Sequence, residues 1–415
     1  MGPSELVREY LRLGLRFGRL GEGILLSCTA DPRLCRGVAR ESVSTPDELV
    51  AQAVLLRAEL PECGLPVARA RFLDAQLAAL ECHGGKLAGR PMSFRDEAVG
   101  CFQVRPERGD PERYRRAHAE LADVLPGSGD PAERLARLSE RERVPPDLVP
   151  RGVRAISAAL RARVRARPGL PAQEHVGYRY VRARPWAALH RYRGEFRSLV
   201  AIDVDRAPWA GNLPALIAHE SYPGHHAEHC RKERLLVDER GWHEHRIALR
   251  DTPQSLLAEG LADLGLRIAV GPGWGSWASE VLAGAGITFD GELAERVHDA
   301  LSGLRRVRLD AALLLHEEGA SEDEVVAHLV RWACLPTARA RAFVRFIADP
   351  RWRLYSVTYA EGAELVRGRI VSGEEPGRLL DEPWTPAALG GVSSTNGEMG
   401  PPGAGALRRS AGSAR

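Results

Sequence analysis

The chain has 415 residues and almost no lysine: Lys86 and Lys232 are the only two, although Lys and Arg together number 58. Arginine therefore carries the positive charge, and 55 acidic residues leave a formal net charge of only +3. A nucleic-acid-binding face needs basic residues gathered without matching acids. Here arginines alternate with glutamates and aspartates, as they do on solvated helix faces. The segment 151–167 comes nearest to an exception, but Val153, Ile156, Leu160 and Val164 recur in it at helical spacing. It reads as an amphipathic helix with its arginines outside, and no nucleic-acid partner is expected.

Cysteine is also sparse. Seven residues, at widely spaced positions and with no CxxC pair, exclude a disulfide scaffold and fit reduced thiols in the cytoplasm. No run approaches the roughly 18 apolar residues of a membrane span, so no membrane partner is expected. The first twenty residues scatter Glu5, Arg8, Glu9, Arg12 and Arg16 among leucines and lack the apolar core of a signal peptide. These absences together point to a cytoplasmic protein.

What is present is helical. Leucine, alanine, arginine and glutamate fill most segments, with apolar positions every three or four residues. Leu293, Val297, Leu301, Leu304 and Leu315 read as one long helix that Gly319 can close. Ser321 to Glu324 reads as a capping box opening the next. The best strand is Ser198–Val204, with β-branched Val200, Ile202 and Val204. Turn signals lie at 126–131, 167–171 and 271–275. The expected architecture is mainly α, a large multi-helix body with at most a short strand or hairpin beside the candidate site. An N-terminal helical lobe is expected over 1–130, the core over 131–382, and a disordered tail of Gly, Ala, Ser and Pro over 383–415.

The chemistry gathers in Leu213–Glu233, LPALIAHESYPGHHAEHCRKE. Leu213, Leu216 and Ile217 give a helix an apolar face that ends at His219-Glu220. Zinc takes neutral imidazole and carboxylate ligands, and a catalytic site leaves one position for water. In an HExxH helix the second histidine would fall at 223, which here is Pro223; the next histidine is His225. Six residues of unbroken helix rise roughly 9 Å, too far for two ligands of one ion. Pro223 cannot continue the helix and Gly224 tolerates almost any backbone angle, so the break can fold His225 back toward His219. His226 and His229 are alternative ligands or outer partners. A third ligand is expected from the helix opened by Thr252-Pro253, where Glu259 can bind metal and Asp263 can orient His219. Glu220 is the candidate base. His243-Glu244-His245 reads as solvated helix surface.

HESYPGHH followed by AEG resembles the HExxPGH…EGWALY signature of the bacterial family catalogued as domain of unknown function 885, whose members are mostly helical and zinc-peptidase-like. The likeness covers about Glu195–Ile370, continuing through Arg308-Leu309, His316 and Gly319-Ala320-Ser321 to Ser356–Gly362 and Arg367. It implies a glutamate-zincin type of site, with His219, His225 and Glu259 as metal ligands and Glu220 as base. Tyr359 would be a catalytic hydrogen-bond donor to an oxyanion; His316 would be catalytic or touch substrate, and Arg308 and Arg367 would be substrate contacts. The chain departs from that signature at Leu261 and Leu264, at Ala312, and at Glu228, where glutamine is usual. The expectation is a zinc-dependent amide hydrolase, with another divalent metal as an option, acting on a peptide or peptide-like metabolite. Two rivals stand beside it: a repurposed metal enzyme of specialised metabolism (cyclisation, lyase or amide-transfer chemistry) and a non-catalytic helical binding protein.

Overall fold

The computed structural model describes residues 1–165, 170–184, 186–206, 209–372 and 376–390. Among them the fold is mainly helical, as expected, with two small sheets. Among the described residues no helix is long and apolar enough to cross a membrane.

The N-terminal helices Pro3–Phe17, Pro46–Glu59 and Val67–Leu87 close over their own apolar cluster, which includes Leu6, Leu13, Phe17, Leu49, Phe72 and Leu77. Ile247 and Leu249 complete that cluster from far along the chain. They belong to strand Ile247–Leu249, which pairs antiparallel with Leu25–Cys28. Cys82, Phe94, Tyr114 and Leu121 join instead the main core, which continues to Ala360. The helix Val149–Arg165 buries Val153, Ile156 and Leu160 there, as its periodicity predicts; Arg167 lies outside the described residues.

The anticipated single strand is the centre of a three-stranded sheet. Arg197–Asp203 pairs parallel with His175–Val181 and antiparallel with Ala188–Gly194. Ser198, Val200 and Ile202 alternate onto one buried face, so the strand brings a hydroxyl under the histidine-rich helices.

Three expectations need correction. The long helix over Leu293–Leu315 is two helices, Gly291–Ser302 and Val307–His316. They separate at Gly303, where a Cβ would lie 2.9 Å from Ala117 Cβ, so close helix contact fixes a glycine that also weakens the helix. Residues 243–246 are a 3₁₀ turn in which Glu244 is fully buried and the His245 ring packs 4.5 Å from Phe72. Sequence periodicity could not see the partner, Arg69, whose Nε and Nη2 donate to the Glu244 carboxylate at 2.7 and 2.6 Å. Thirdly, within the expected tail Leu389 packs in an apolar cluster with Leu257, Leu261, Val366 and Leu380; residues 391–415 of that tail lie outside the described residues. The two predicted helix starts hold: Ser321 with Glu324, and Thr252 with Ser255, each form a capping box.

Arg69→Ala would leave Glu244 charged and buried without a partner. It should cost about 3–5 kcal/mol, read from a urea denaturation midpoint, and a loss below about 1 kcal/mol would show that the pair does not hold the N-terminal helices to this turn.

Candidate metal centre

The helix Leu213–Glu220 is anchored by buried Leu213, Ile217 and Ala218 and stops at Ser221. Two residues later the chain reverses: the Gly224 amide donates to the Ala218 carbonyl at 2.9 Å, and a new helix, His225–Lys232, begins. A Cβ on Gly224 would lie 1.9 Å from the His219 carbonyl oxygen, so only glycine lets the backbone fold this tightly on the end of the first helix. The result sets the His219 and His225 rings 4.7 Å apart and nearly perpendicular.

Glu259 arrives on the helix Pro253–Asp263, which follows directly from the strand Ile247–Leu249. Its neighbour Gly260 meets Gly362 at backbone contact: a Cβ on Gly260 would lie 2.3 Å from the Gly362 carbonyl group, and one on Gly362 would lie 2.4 Å from the Leu256 oxygen. This crossing, impossible with any side chain between the backbones, puts Glu259 beside Tyr359. The Glu259 oxygens stand 3.4 Å from His219 Nε2 and 3.5 Å from His225 Nε2. Ligand atoms about 3.3 Å apart are what tetrahedral zinc coordination needs at ordinary bond lengths. One donor atom from each of the three residues falls within 4.8 Å of the others. The Glu259 Oε2 is buried with no hydrogen-bond partner, an orphan that a cation would satisfy. The donor set, two imidazoles and a carboxylate, suits zinc and also accepts other divalent ions.

Glu220 sits against this triad, 7% exposed. Burial raises its carboxyl above the usual range, the Glu259 charge adds to that, and His219 and His225 oppose it. A second carboxylate close enough to feel both imidazoles and Glu259 makes the centre electrostatically receptive to a cation. The Tyr359 ring lies nearly parallel to His219 at 6.2 Å. Burial first, then Glu259 and Tyr355, pushes its hydroxyl well above its ordinary value, so it stays protonated and able to donate.

The remaining candidates divide. His226 is not a ligand: its Nε2 faces Glu174 at 3.0 Å and its Nδ1 faces the Ser198 hydroxyl at 2.8 Å, which occupies both ring nitrogens. His229 stacks on Tyr192 at 4.6 Å and on His190 at 5.6 Å, and burial pushes it down to about 4. Asp263 does not orient His219; it forms an ion pair with Arg305. His316 bonds the Ile347 carbonyl at 2.8 Å and stacks on Phe94, so its contacts join core elements and none is with the triad. Arg367 lies beside Arg305, whose guanidinium is pushed down to about 10 by burial and by that neighbour. Arg308 lies 5.5 Å over the Phe343 ring and near the Tyr355 and Tyr359 hydroxyls.

Three supporting groups escape sequence reading. Glu174, fully buried, accepts from Tyr222 at 2.5 Å and Arg161 at 2.6 Å, besides facing His226. Burial alone would raise its carboxyl, but those partners hold it at about 2. Tyr355 shares a 2.7 Å hydroxyl contact with Tyr359, an i,i+4 spacing that could have been noticed. Glu228 lies 4.0 Å from His225 Nδ1 and 2.5 Å from Lys232 Nζ. Burial opposes its charge, yet Lys232 and His225 hold the carboxyl at about 2. It thus backs His225 from the side opposite Glu259.

No family model matches the chain, and neither a curated protein nor a solved structure matches it.

Two outcomes follow from the geometry. Glu228→Gln should weaken zinc binding about tenfold or more, since outer partners that fix a ligand imidazole carry that much; unchanged affinity in a competitive chelator titration would deny Glu228 a positioning role. Gly260→Ala must push two touching backbones apart and should lower stability by at least about 3 kcal/mol, well beyond the ~1 kcal/mol gain in helix propensity; calorimetric melting would show it.

Proposed function

We propose that this protein is a metal-dependent hydrolase, with zinc as the metal, that cleaves an amide bond in a peptide or peptide-like metabolite. The observation that carries this reading is the convergence of His219 Nε2 and His225 Nε2 on the Glu259 carboxylate, whose Oε2 has no hydrogen-bond partner, with buried Glu220 alongside. The same donors occur in the same chain order as in the HExxPGH family that the sequence resembles.

A bound metal supplies Lewis-acid polarisation of a carbonyl and makes water more acidic. Glu220 takes the proton of the attacking water and returns it to the leaving amine. Burial raises its carboxyl above the ordinary glutamate range, which strengthens it as a proton acceptor. Tyr359, kept protonated by burial and by Glu259, donates to the oxygen on which negative charge develops. Glu228 and Lys232 hold His225 in orientation, and Glu174 with Ser198 locks neighbouring His226 away from the centre.

Elemental analysis of the purified protein should find close to one zinc per chain, lost in His219→Ala and in Glu259→Ala. Equal metal in all three would remove the basis of the reading. Glu220→Gln should keep its metal while turnover of a peptide mixture falls about 10²–10⁴-fold, the range carried by a general base. Undiminished turnover in that variant would exclude Glu220 from proton transfer.

A further inference from the structure

Five of the seven cysteines are buried; the two that keep contact with solvent, Cys28 and Cys35, touch each other, Sγ to Sγ at 3.6 Å. The local sequence puts them there. Cys28 ends the strand Leu25–Cys28, and after Thr29, Ala30 and Asp31 the chain reverses into the helix Pro32–Arg40. Asp31 caps that helix: its carboxylate accepts from the Arg33 amide at 2.7 Å and its carbonyl from the Cys35 amide at 3.0 Å. Cys35 therefore comes one turn into the helix and faces back over the strand end, its thiol 3.8 Å from the Ala30 carbonyl. The other close pair, Cys82 and Cys101, is buried, beyond the reach of a reagent in solution.

A disulfide needs its two sulfurs about 2 Å apart, and thiols already in van der Waals contact across a three-residue turn reach that by small side-chain rotations. The helix that carries Cys35 has little else to hold it. It has nine residues, of which only Val38 is buried, and so short a helix is marginal without tertiary contacts. The strand that carries Cys28 is better anchored. Cys28 stands in register with Ile247; the Thr29 amide donates to the Arg246 carbonyl at 2.7 Å, and the Thr29 carbonyl accepts from the Arg246 guanidinium at 3.0 Å. A bond between the two sulfurs would tie the loosely held helix to this sheet.

We propose that Cys28 and Cys35 are a covalent redox site, which an oxidised low-molecular-weight thiol converts to a reversible disulfide clasping the helix Pro32–Arg40 to the sheet. In the first step the Cys35 thiolate attacks one sulfur of the small disulfide, forms a mixed disulfide and expels one thiolate, which takes up the proton that Cys35 lost. The Cys28 sulfur then attacks the Cys35 sulfur and passes its proton to the second departing thiolate. Two protein thiols are oxidised to one disulfide, and one small disulfide is reduced to two thiols. The order follows from burial, which pushes the Cys28 thiol up to about 11 and leaves it the poorer first nucleophile. Excess reduced thiol drives the same steps backward. The site uses none of the residues of the metal centre and does not depend on the hydrolase reading.

Incubating the full chain with excess glutathione disulfide, then blocking free thiols with iodoacetamide, tests this by intact mass and peptide mapping. Two of the seven thiols should be lost, with Cys28 and Cys35 joined to each other and the unblocked chain lighter by two hydrogens. Dithiothreitol should restore both. Cys28→Ser should stop at the first step and hold one glutathione on Cys35. The oxidised chain should melt a few degrees higher than the reduced one, because closing the loop restricts the unfolded chain. That rise should vanish when both cysteines are replaced by serine. Seven free thiols after incubation, a bond between any other pair, or a wild-type chain that retains glutathione on Cys35 overturns the proposal. So does an oxidised chain that melts no higher than the reduced one, since the bond would then clasp nothing.

Discussion

The amide of Gly224 bonded back to the Ala218 carbonyl is the contact on which the candidate centre depends. A straight helix would carry His225 roughly 9 Å from His219. Instead the chain turns within three residues and begins a second helix against the end of the first, so the two imidazoles meet at right angles. The turn is possible because nothing projects from residue 224 toward the His219 carbonyl. A second backbone contact, Gly260 on Gly362, does the same for the remaining groups of the site: it brings the Glu259 helix and the Tyr359 turn to a separation that any side chain would prevent. Two of the chain's four Glu-Gly pairs, Glu259-Gly260 and Glu361-Gly362, owe the glycine to this crossing.

Around these contacts the molecule buries several carboxylates, each with a defined partner. Glu174 is held by Tyr222, Arg161 and Arg165, Glu244 by the Arg69 fork, Glu97 by Lys86 and Arg353, and Glu228 by Lys232. The two lysines of the chain are both used in this way, Lys86 on Glu97 and Lys232 on Glu228, each at 2.5 Å. Arginine takes the remaining pairs, at the surface and where a fork is useful. The scarcity of lysine is thus accompanied by strict use of it, and one of the two lysines stands behind a candidate metal ligand.

The site's outline was legible in the sequence because its components are local signals. A histidine and glutamate at the end of an apolar helix, a Pro-Gly break just before the next helix, and a capped helix carrying Glu-Gly are all short-range patterns. Strand 198–204 was visible from its β-branched alternation and needed only a one-residue shift. What was not legible is what depends on distant partners. Glu244 and His245 look like solvent-facing residues until Arg69 and Phe72 are brought to them. His226 looks as good a ligand as His225 until Ser198 and Glu174 claim both its nitrogens. Asp263 has the right spacing from Glu259, but Arg305 competes for it.

Sequence alone therefore determined the helical class, the helix starts at Thr252 and Ser321, and the residue types a metal centre requires, since each follows from composition, period or capping within a few positions. Only the tertiary structure decided which histidine joins His219 and which acids support the centre. Those choices are settled by competition among side chains tens to hundreds of residues apart. A hydrogen bond or ion pair formed across such a distance leaves no mark on the local pattern of either partner.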